Sequence, residues 1–362
     1  MKHSILSAIL LLATICSFAA EPKHKTQNFI LITLDGLRWQ ELFNGADLAF
    51  IQNKKLVEDS AGCVKKYWNA DLDTRRKKLL PFVWGTIAKQ GQLYGNRNEG
   101  SLVNVKNPYW FSYPGYNENL TGYADPKVNS NEFGPNPNVS LFEELNKTPE
   151  YKGRIAAFAS WDAFNDILNE KRSGLLVNSG YEKLEGQGLS DNMQMLNSIQ
   201  YQLPDIFHGV RLDGVTFNMG FEYLKTKKPR VLFLSFDETD DFAHGGRYED
   251  YLNSAHYSDD FLRILWNWIQ STPEYKDKTT IFITCDHGRG NDQEMWKHHG
   301  SETPNSSQTW FAVIGPDTPP LGEIKEGQYY NNQFAKTWAD LLGFNFVTPN
   351  PVGETITKVI GK

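Results

Sequence analysis

Near-continuous apolar runs are the strongest pattern along the chain. Five short runs rich in β-branched and aromatic residues occur at 29–34, 154–159, 231–236, 280–285 and 310–314. Half-buried strands alternate apolar with polar positions, whereas strands covered on both faces read as continuous apolar runs. We therefore predict that these five segments are buried strands of one parallel sheet.

Helical patterns separate the apolar runs, at about 76–90, 140–147, 214–226 and 250–271. Strands that alternate with helices predict a layered α/β fold, with a mostly parallel central sheet and helices on both faces. The segment 160–210 fits this alternation poorly, and we interpret it as a candidate cap or insertion near the active site. No internal repeat or low-complexity tract interrupts the pattern. We therefore expect a single catalytic domain over residues 21–362.

The overall charge restricts the kinds of partner. The chain has 362 residues, of which 40% are hydrophobic and 22% charged, and its formal net charge is −6. This composition is typical of a globular protein, and the acidic balance disfavours electrostatic binding of nucleic acid. An anionic substrate would have to be held by local positive charge, such as metal ions. Composition leaves the oligomeric state open.

The N-terminus has the pattern of an export signal. Lys2 and His3 precede an apolar run over residues 5–16, and small residues follow at 17–20. This order is typical of a cleaved signal over residues 1–20, and the run is too short for a transmembrane helix. A lipoprotein signal through Cys16 is the weaker alternative, because bulky Ile15 precedes it. We predict a periplasmic or secreted protein without a transmembrane segment.

Acidic and histidine residues follow three of the predicted strands. Asp35 follows the first run, Asp240 and His244 follow the third, and Asp286 and His287 follow the fourth. In an open parallel sheet, ligands bind beyond the carboxyl ends of the strands. A single aspartate there is usually a cap or turn residue, but three clusters at one edge predict a site. Carboxylates with imidazoles suit Zn²⁺ and related divalent ions.

A candidate nucleophile lies in the stretch WFSYPGYNENLTG. Ser112 precedes Pro114 and a short stretch with helical character. At a helix N-terminus, backbone N–H groups and the helix dipole face the negative charge of a phosphate. The alternative is that Ser112 only caps the helix. No Gly-x-Ser-x-Gly motif occurs, so Ser112 would need a metal ion to lower its pKa.

The ordered set TLDG, SYPGYNENLTG, DDFAH, CDHG and HHG resembles the alkaline phosphatase superfamily, nearest to its nucleotide pyrophosphatase/phosphodiesterase branch. The resemblance extends over about residues 29–345. It implies two divalent metal ions, with Zn²⁺ the leading candidate and Mn²⁺ or Mg²⁺ as alternatives, and Ser112 between them. The ligands that it implies are Asp35, Asp286 and His287 for one ion, and Asp240, His244 and His299 for the other. It favours His299 over His298, its neighbour.

The sequence departs from the branch at the nucleophile. The branch usually has threonine there, whereas Ser112 resembles alkaline phosphatases, so monoesterase and diesterase activity both stay open. The branch also has an asparagine that contacts a phosphate oxygen, for which Asn131 is the best match and Asn129 the second. Sulfatases share the fold but have a Cys/Ser-x-Pro-x-Arg motif. Tyr116 stands where that arginine belongs, which argues against a sulfatase.

These features predict an exported, metal-dependent phosphoric ester hydrolase that acts on a small phosphate ester as a phosphodiesterase or phosphomonoesterase. One alternative is a sulfatase-like or phosphonate-ester hydrolase of the same superfamily. Another is a non-catalytic exported protein that keeps its metals for structure. Asp237, Glu238 and Asp241 lie beside the predicted ligands, and either a ligand-orienting role or simple solvation is consistent with the sequence.

Overall fold

An eight-stranded sheet runs through the computed structural model of the protein, which describes residues 24–361. The predicted export signal over residues 1–20 lies outside the described residues. A second sheet has three short strands. The strands are β1 (Asn28–Leu34), β2 (Gln92–Tyr94), β3 (Ser101–Asn104), β4 (Ile155–Ala159), β5 (Leu176–Ser179), β6 (Val231–Phe236), β7 (Thr279–Thr284), β8 (Gln308–Thr309), β9 (Phe311–Ile314), β10 (Gly322–Glu323) and β11 (Gly327–Tyr330).

The main sheet has the order β10-β2-β9-β7-β1-β6-β4-β5. β1 lies at its centre and is parallel to both β6 and β7, and β4 is parallel to β6 and β5. The predicted α/β class with a mostly parallel sheet is therefore confirmed. The run at 310–314 forms β9, but this strand is antiparallel to β7 and β2. Parallel neighbours need a long crossover, usually helical, and between β7 and β9 the chain forms only loops, the short strand β8 and one turn of 3₁₀ helix.

Helices cover both faces of the main sheet. Ile30, Ile32 and Leu34 of β1 pack into one apolar core, whereas Phe29 and Leu31 pack into another. Successive side chains of a strand point to opposite faces, so β1 is buried on both sides. The α-helices are α1 (Trp39–Asn44), α2 (Leu48–Ile51), α3 (Ser60–Tyr67), α4 (Leu72–Leu79), α5 (Ala88–Gln90), α6 (Ser112–Thr121), α7 (Leu141–Asn146), α8 (Phe164–Ile167), α9 (Glu170–Ser173), α10 (Asp191–Ile199), α11 (Asp213–Lys227), α12 (Glu238–His244), α13 (Tyr248–Ser271) and α14 (Phe334–Leu341).

Two segments differ from the sequence pattern. The helix predicted at 76–90 is divided into α4, a π-helical turn (Val83–Ile87) and α5. Pro81 cannot donate a backbone hydrogen bond, and the Asp259 carboxylate instead accepts the N–H groups of Phe82 and Val83 (2.7 and 2.8 Å). Part of 160–210 forms β5, a strand of the main sheet. The pattern missed this strand because LVNS contains only two apolar residues.

Neither cysteine of the described chain forms a disulfide. Cys63 and Cys285 are both buried and free. Cys285 follows β7 directly and is fully enclosed, where a free cysteine packs as a small apolar residue. Within residues 24–361, no helix combines the length and apolar character needed to cross a bilayer.

Helix α6 packs unusually closely against the end of β7. A Cβ atom on Gly115 would lie 2.4 Å from the backbone oxygen of Asp286. A contact that short cannot be relieved by turning a side chain, because the obstacle is backbone. The absence of a side chain at Gly115 therefore sets the distance between α6 and the segment that follows β7.

We expect Gly115→Ala to lower the free energy of unfolding by about 1–3 kcal/mol, as overpacking of a close contact does. Gly214→Ala in α11 is the matched control, because a Cβ atom on Gly214 would have no neighbouring atom within 4 Å. The control should be neutral or stabilise the protein by up to about 1 kcal/mol. Urea unfolding of both variants measures the difference. Equal stability of the two would show that α6 can move away without cost.

Candidate metal centre and nucleophile

Three neighbouring strands of the main sheet end at one site. Asp35 follows β1 directly, Asp286 follows β7 after one residue, and Asp240 lies in the first turn of α12, just beyond β6. The N–H of Asp35 donates to the carbonyl of Phe236 (2.9 Å), which holds the ends of β1 and β6 together. The site therefore lies at the carboxyl edge of the central parallel strands, where ligands bind in such sheets.

The first ligand cluster consists of Asp35, Asp286 and His287, all buried. The Nε2 atom of His287 lies 3.2 Å from Asp35 Oδ1 and 3.4 Å from Asp286 Oδ2. The Nδ1 atom lies 2.9 Å from the carbonyl oxygen of Gly288. A carbonyl only accepts, so Nδ1 carries a hydrogen, and Nε2 faces the two carboxylates.

No arginine or lysine among the described residues pairs with the carboxylates of the first cluster. Asp35 Oδ1 and Asp286 Oδ2 are inaccessible to solvent, and neither has a hydrogen-bond partner among the described residues. Burial, and then the charge of Asp35, raise the pKa of Asp286 well above its usual range. Burial alone would lower the pKa of His287, but the charges of Asp286 and Asp35 raise it to about 9. A divalent cation beside Nε2 would neutralise both carboxylates, so these residues fit a metal ion.

The second cluster lies beside the first. The Nε2 atom of His244 is 3.0 Å from Asp240 Oδ2 and 3.0 Å from His299 Nε2. His299 Nε2 is 3.8 Å from Asp240 Oδ1, and His287 Nε2 is 3.7 Å from the same oxygen. Asp240 and His244 are four residues apart and therefore lie on one face of α12. Burial, and then the charge of His287, lower the pKa of His299, which favours the neutral ring that binds metals.

The structure separates His299 from the alternative ligand His298. His299 is largely buried and its ring joins the second cluster. His298 is exposed, and no hydrogen bond or ion pair among residues 24–361 involves its ring. The six ligands implied by the resemblance thus lie together, in two adjoining clusters that meet at His287 and Asp240.

Ser112 is the first residue of α6, and its Oγ lies 3.3 Å from His287 Nε2. The N–H groups that follow it are engaged, which differs from the expectation that they face a phosphate. The Tyr113 N–H donates to Asn131 Oδ1 (3.0 Å), Pro114 has no N–H, and the Gly115 N–H donates to the carbonyl of Phe111 (3.0 Å). The N–H of Ser112 itself has no hydrogen-bond acceptor among the described residues.

Asn131, for which the resemblance implies a phosphate contact, is bonded to the backbone of Tyr113, the residue after Ser112. A backbone N–H can only donate, so the contact with Tyr113 fixes Oδ1 as the bound atom and leaves Nδ2 as a donor. The side chain of Asn131 is exposed and therefore accessible to a substrate. Asn129, the second choice, makes no side-chain hydrogen bond among the described residues.

Several buried groups hold the ligands in place. The hydroxyl of Tyr116 donates to Asp35 Oδ2 (2.9 Å) from the helix that carries Ser112. The Asp213 carboxylate accepts the N–H groups of Asp237 and Glu238 (2.9 and 3.1 Å), and Glu238 Oε1 accepts the N–H of Asp213 (2.9 Å). These reciprocal bonds cap α12 and fix the helix that carries Asp240. Glu238 is therefore a structural acid and not a solvated one.

The nucleophile segment and the His299 loop are bonded to each other. The Gly300 N–H donates to the carbonyl of Trp110 (3.0 Å). Trp110 has a left-handed backbone (φ 57°), which few bulky residues adopt. Asn107 Oδ1 accepts the N–H groups of Tyr109 and Trp110 (3.1 and 3.0 Å) and stabilises this turn.

Arg289 is a site residue that the sequence pattern did not indicate. Its side chain is completely buried, and its Nη1 donates to Asp240 Oδ1. A Cβ atom on Gly36 would lie 2.6 Å from that carboxylate oxygen and 2.9 Å from Nη1, and Gly36 also has φ +57°. The glycine of TLDG is therefore required by the packing of the site. The available signal for Arg289 was a lone arginine between two glycines, directly after the CDHG ligands.

A profile of the family described as Sulfatase matches residues 110–344, which include Ser112 and all of the predicted metal ligands except Asp35. This match covers well over half of the chain. The chain therefore belongs to the sulfatase family, within the alkaline phosphatase superfamily of hydrolases. None of the curated proteins matches the chain.

Solved structures with the same fold have several activities. The alkaline phosphatase PafA is 11% identical, with a TM-score of 0.60 over 94% of this chain and 100% of that one. The lipoteichoic acid synthase LtaP from Listeria monocytogenes is 14% identical, with a TM-score of 0.55 over 92% and 76%. BT1596, a 2-O GAG sulfatase, is 12% identical, with a TM-score of 0.54 over 93% and 75%. The alkaline-phosphatase-like fold is thus confirmed.

We expect Tyr116→Phe to weaken metal binding roughly 10- to 100-fold, because groups that orient metal ligands have effects of this size. Tyr275→Phe is the matched control, since it also removes a buried hydroxyl hydrogen bond, to Pro229. Both variants should lose about 1 kcal/mol of unfolding free energy. Competition with a chelating dye measures the affinity. Equal affinities in the two variants would show that Tyr116 does not orient Asp35.

Removing metal with a chelator should lower the melting temperature, because a cation that binds only the folded state stabilises it. The gain is about 2.7 kcal/mol of unfolding free energy when the free metal concentration is 100 times its dissociation constant. Calorimetry of chelated and zinc-reloaded protein measures the change. Asp286→Asn should respond much less to zinc. If the melting temperature of the unmodified protein is the same with and without zinc, this result would contradict a metal at this site.

Proposed function

We propose that the protein is a metal-dependent phosphoric ester hydrolase with Ser112 as its nucleophile. Two divalent cations, with Zn²⁺ the leading candidate, would be held by the two clusters. The observation that carries the proposal is the position of Ser112, with its Oγ 3.3 Å from the His287 ring nitrogen that faces both Asp35 and Asp240. A nucleophile beside both clusters is more than a structural metal site requires, and this disfavours a non-catalytic role.

The surroundings of Ser112 favour phosphate over sulfate esters. A sulfatase motif would have arginine at position 116, but Tyr116 is completely buried there and is bonded to Asp35. The three histidines near Ser112 also supply imidazole ligands, which suit Zn²⁺ better than the hard cations that prefer oxygen alone. The match to the Sulfatase family profile keeps a sulfatase-like reaction as the second candidate.

The chemistry follows from the residues around Ser112. When bound, the cations supply positive charge that lowers the pKa of the serine hydroxyl and offsets charge on the reacting phosphoryl group. Ser112 loses its proton to solvent, and its Oγ attacks phosphorus as the bond to the leaving oxygen breaks. The released alkoxide takes up a proton, and water then hydrolyses the bond between Ser112 Oγ and phosphorus, which regenerates the serine. In this proposal the Ser112 N–H and Asn131 Nδ2 would donate to non-bridging oxygens.

The wider setting of the proposal rests on the sequence. The N-terminal pattern supports export to the periplasm or secretion. Because β5 is part of the main sheet, a cap would be restricted to the rest of 160–210. Resemblance to the nucleotide pyrophosphatase/phosphodiesterase branch supports a diester or nucleotide substrate. The serine nucleophile, as in alkaline phosphatases, supports a monoester. A small phosphate ester is common to both.

Ser112→Ala should lower kcat by about a thousandfold or more, as loss of a covalent nucleophile does. Hydrolysis of p-nitrophenyl phosphate and bis-p-nitrophenyl phosphate, measured side by side with zinc present, tests this and shows which ester is preferred. Ser271→Ala, at the exposed end of α13, is the matched control and should keep full activity.

Three outcomes would contradict the proposal. Cleavage of p-nitrophenyl sulfate in preference to both phosphate esters would favour the sulfatase-like reaction. Phosphate hydrolysis that survives in Ser112→Ala, with zinc content unchanged, would exclude Ser112 as the nucleophile. Zinc binding without turnover of any of the three esters would support the non-catalytic alternative.

A further inference from the structure

The two ligand clusters differ in charge when their side chains are in the ionisation states that bind a metal. The first contains two carboxylates, Asp35 and Asp286, and neither contacts an arginine or lysine among the described residues. The second contains one carboxylate, Asp240, which already contacts the guanidinium of Arg289. With ionised carboxylates and neutral histidines, as metal binding requires, the first cluster has a net charge of −2, whereas Asp240 and Arg289 together have a net charge of zero.

The guanidinium of Arg289 is fixed in place beside Asp240. Its Nε donates to the carbonyl of Trp296 (2.7 Å), and its Nη2 donates to the carbonyl of Lys297 (2.6 Å). The side chain is fully enclosed, and Gly36 packs against Nη1. A cation that enters the second cluster therefore meets a fixed positive charge at Asp240, in a buried place where charges interact strongly.

We propose that Arg289 makes the Asp240–His244–His299 cluster the weaker of two metal sites, so that the protein holds one divalent ion tightly and exchanges the other. This inference rests on the proposed function, because it concerns the same pair of clusters. A divalent ion brings the first cluster from −2 to zero, but it brings the second, including Arg289, from zero to +2. The unequal charge predicts unequal affinity.

The solvent exposure of the ligands supports the same order of metal affinities. Asp35, Asp286 and His287 are all buried, whereas 44% of the His244 side chain is exposed. An ion held partly by His244 therefore has a direct path to solvent. Because the proposed chemistry uses both ions, the activity would follow the free metal concentration across the range in which the second site fills.

Stepwise zinc titration of the metal-free protein tests this, with a competing chelating dye and at fixed pH and ionic strength. The unmodified protein should bind two equivalents whose dissociation constants differ at least tenfold. Asp240→Asn should remove the weaker step and Asp35→Asn the stronger one. Arg289→Gln should lower the dissociation constant of the weaker step at least tenfold. The dissociation constant of the stronger step should stay within threefold of its value in the unmodified protein. Arg289→Lys, which keeps the charge, should preserve the difference.

Two equivalents of equal affinity in the unmodified protein would overturn the inference without any variant. So would an Arg289→Gln protein that is folded by circular dichroism but whose weaker step is unchanged or weaker still, because Arg289 would then only position Asp240. If Arg289→Gln does not fold, zinc titration of three proteins tests the order of the two sites: the unmodified protein, the Asp35→Asn variant and the Asp240→Asn variant. If the two sites bind zinc with equal affinity and hydrolysis still depends on Ser112, only this inference is wrong. If the protein does not bind zinc at all, the proposed function is wrong as well.

Discussion

Repulsion among buried carboxylates is the constraint on which the structure of this protein depends. The sheet brings the residues after β1, β6 and β7 to one edge, where Asp35, Asp240 and Asp286 lie within reach of a single imidazole, His287. Such a concentration of negative charge away from water opposes folding unless cations offset it. Arg289 offsets one of the three charges, and a divalent ion would offset the other two.

The residues around the three carboxylates hold them in a defined geometry. Tyr116 connects α6, the helix that begins at Ser112, to Asp35, and the reciprocal bonds between Asp213 and α12 fix the position of Asp240. Gly36 and Gly115 allow backbone to approach where a side chain would collide. Each of these residues lies outside the ligand set, and each restricts one ligand or the helix that carries Ser112.

The sequence predicted those features that depend on local pattern. The central strands were predictable because burial on both faces leaves continuous apolar runs, and the strand ends indicated where Asp35, Asp240 and Asp286 would meet. Features that depend on tertiary contacts were not predictable in this way. β5 is too short and polar to give a signal, the direction of β9 depends on its connection, and Arg289 becomes a site residue only through its contact with a distant carboxylate.

The hydrogen bond from Gly300 to Trp110 joins two loops that are far apart in the sequence. One loop leads into Ser112, and the other carries His299. Because the bond is backbone to backbone, it is insensitive to which side chains occupy these positions, so the coupling can persist while the loops diverge in sequence. Local opening of either loop would then disturb the other, and loss of order at the site should be cooperative, without a stable half-assembled state.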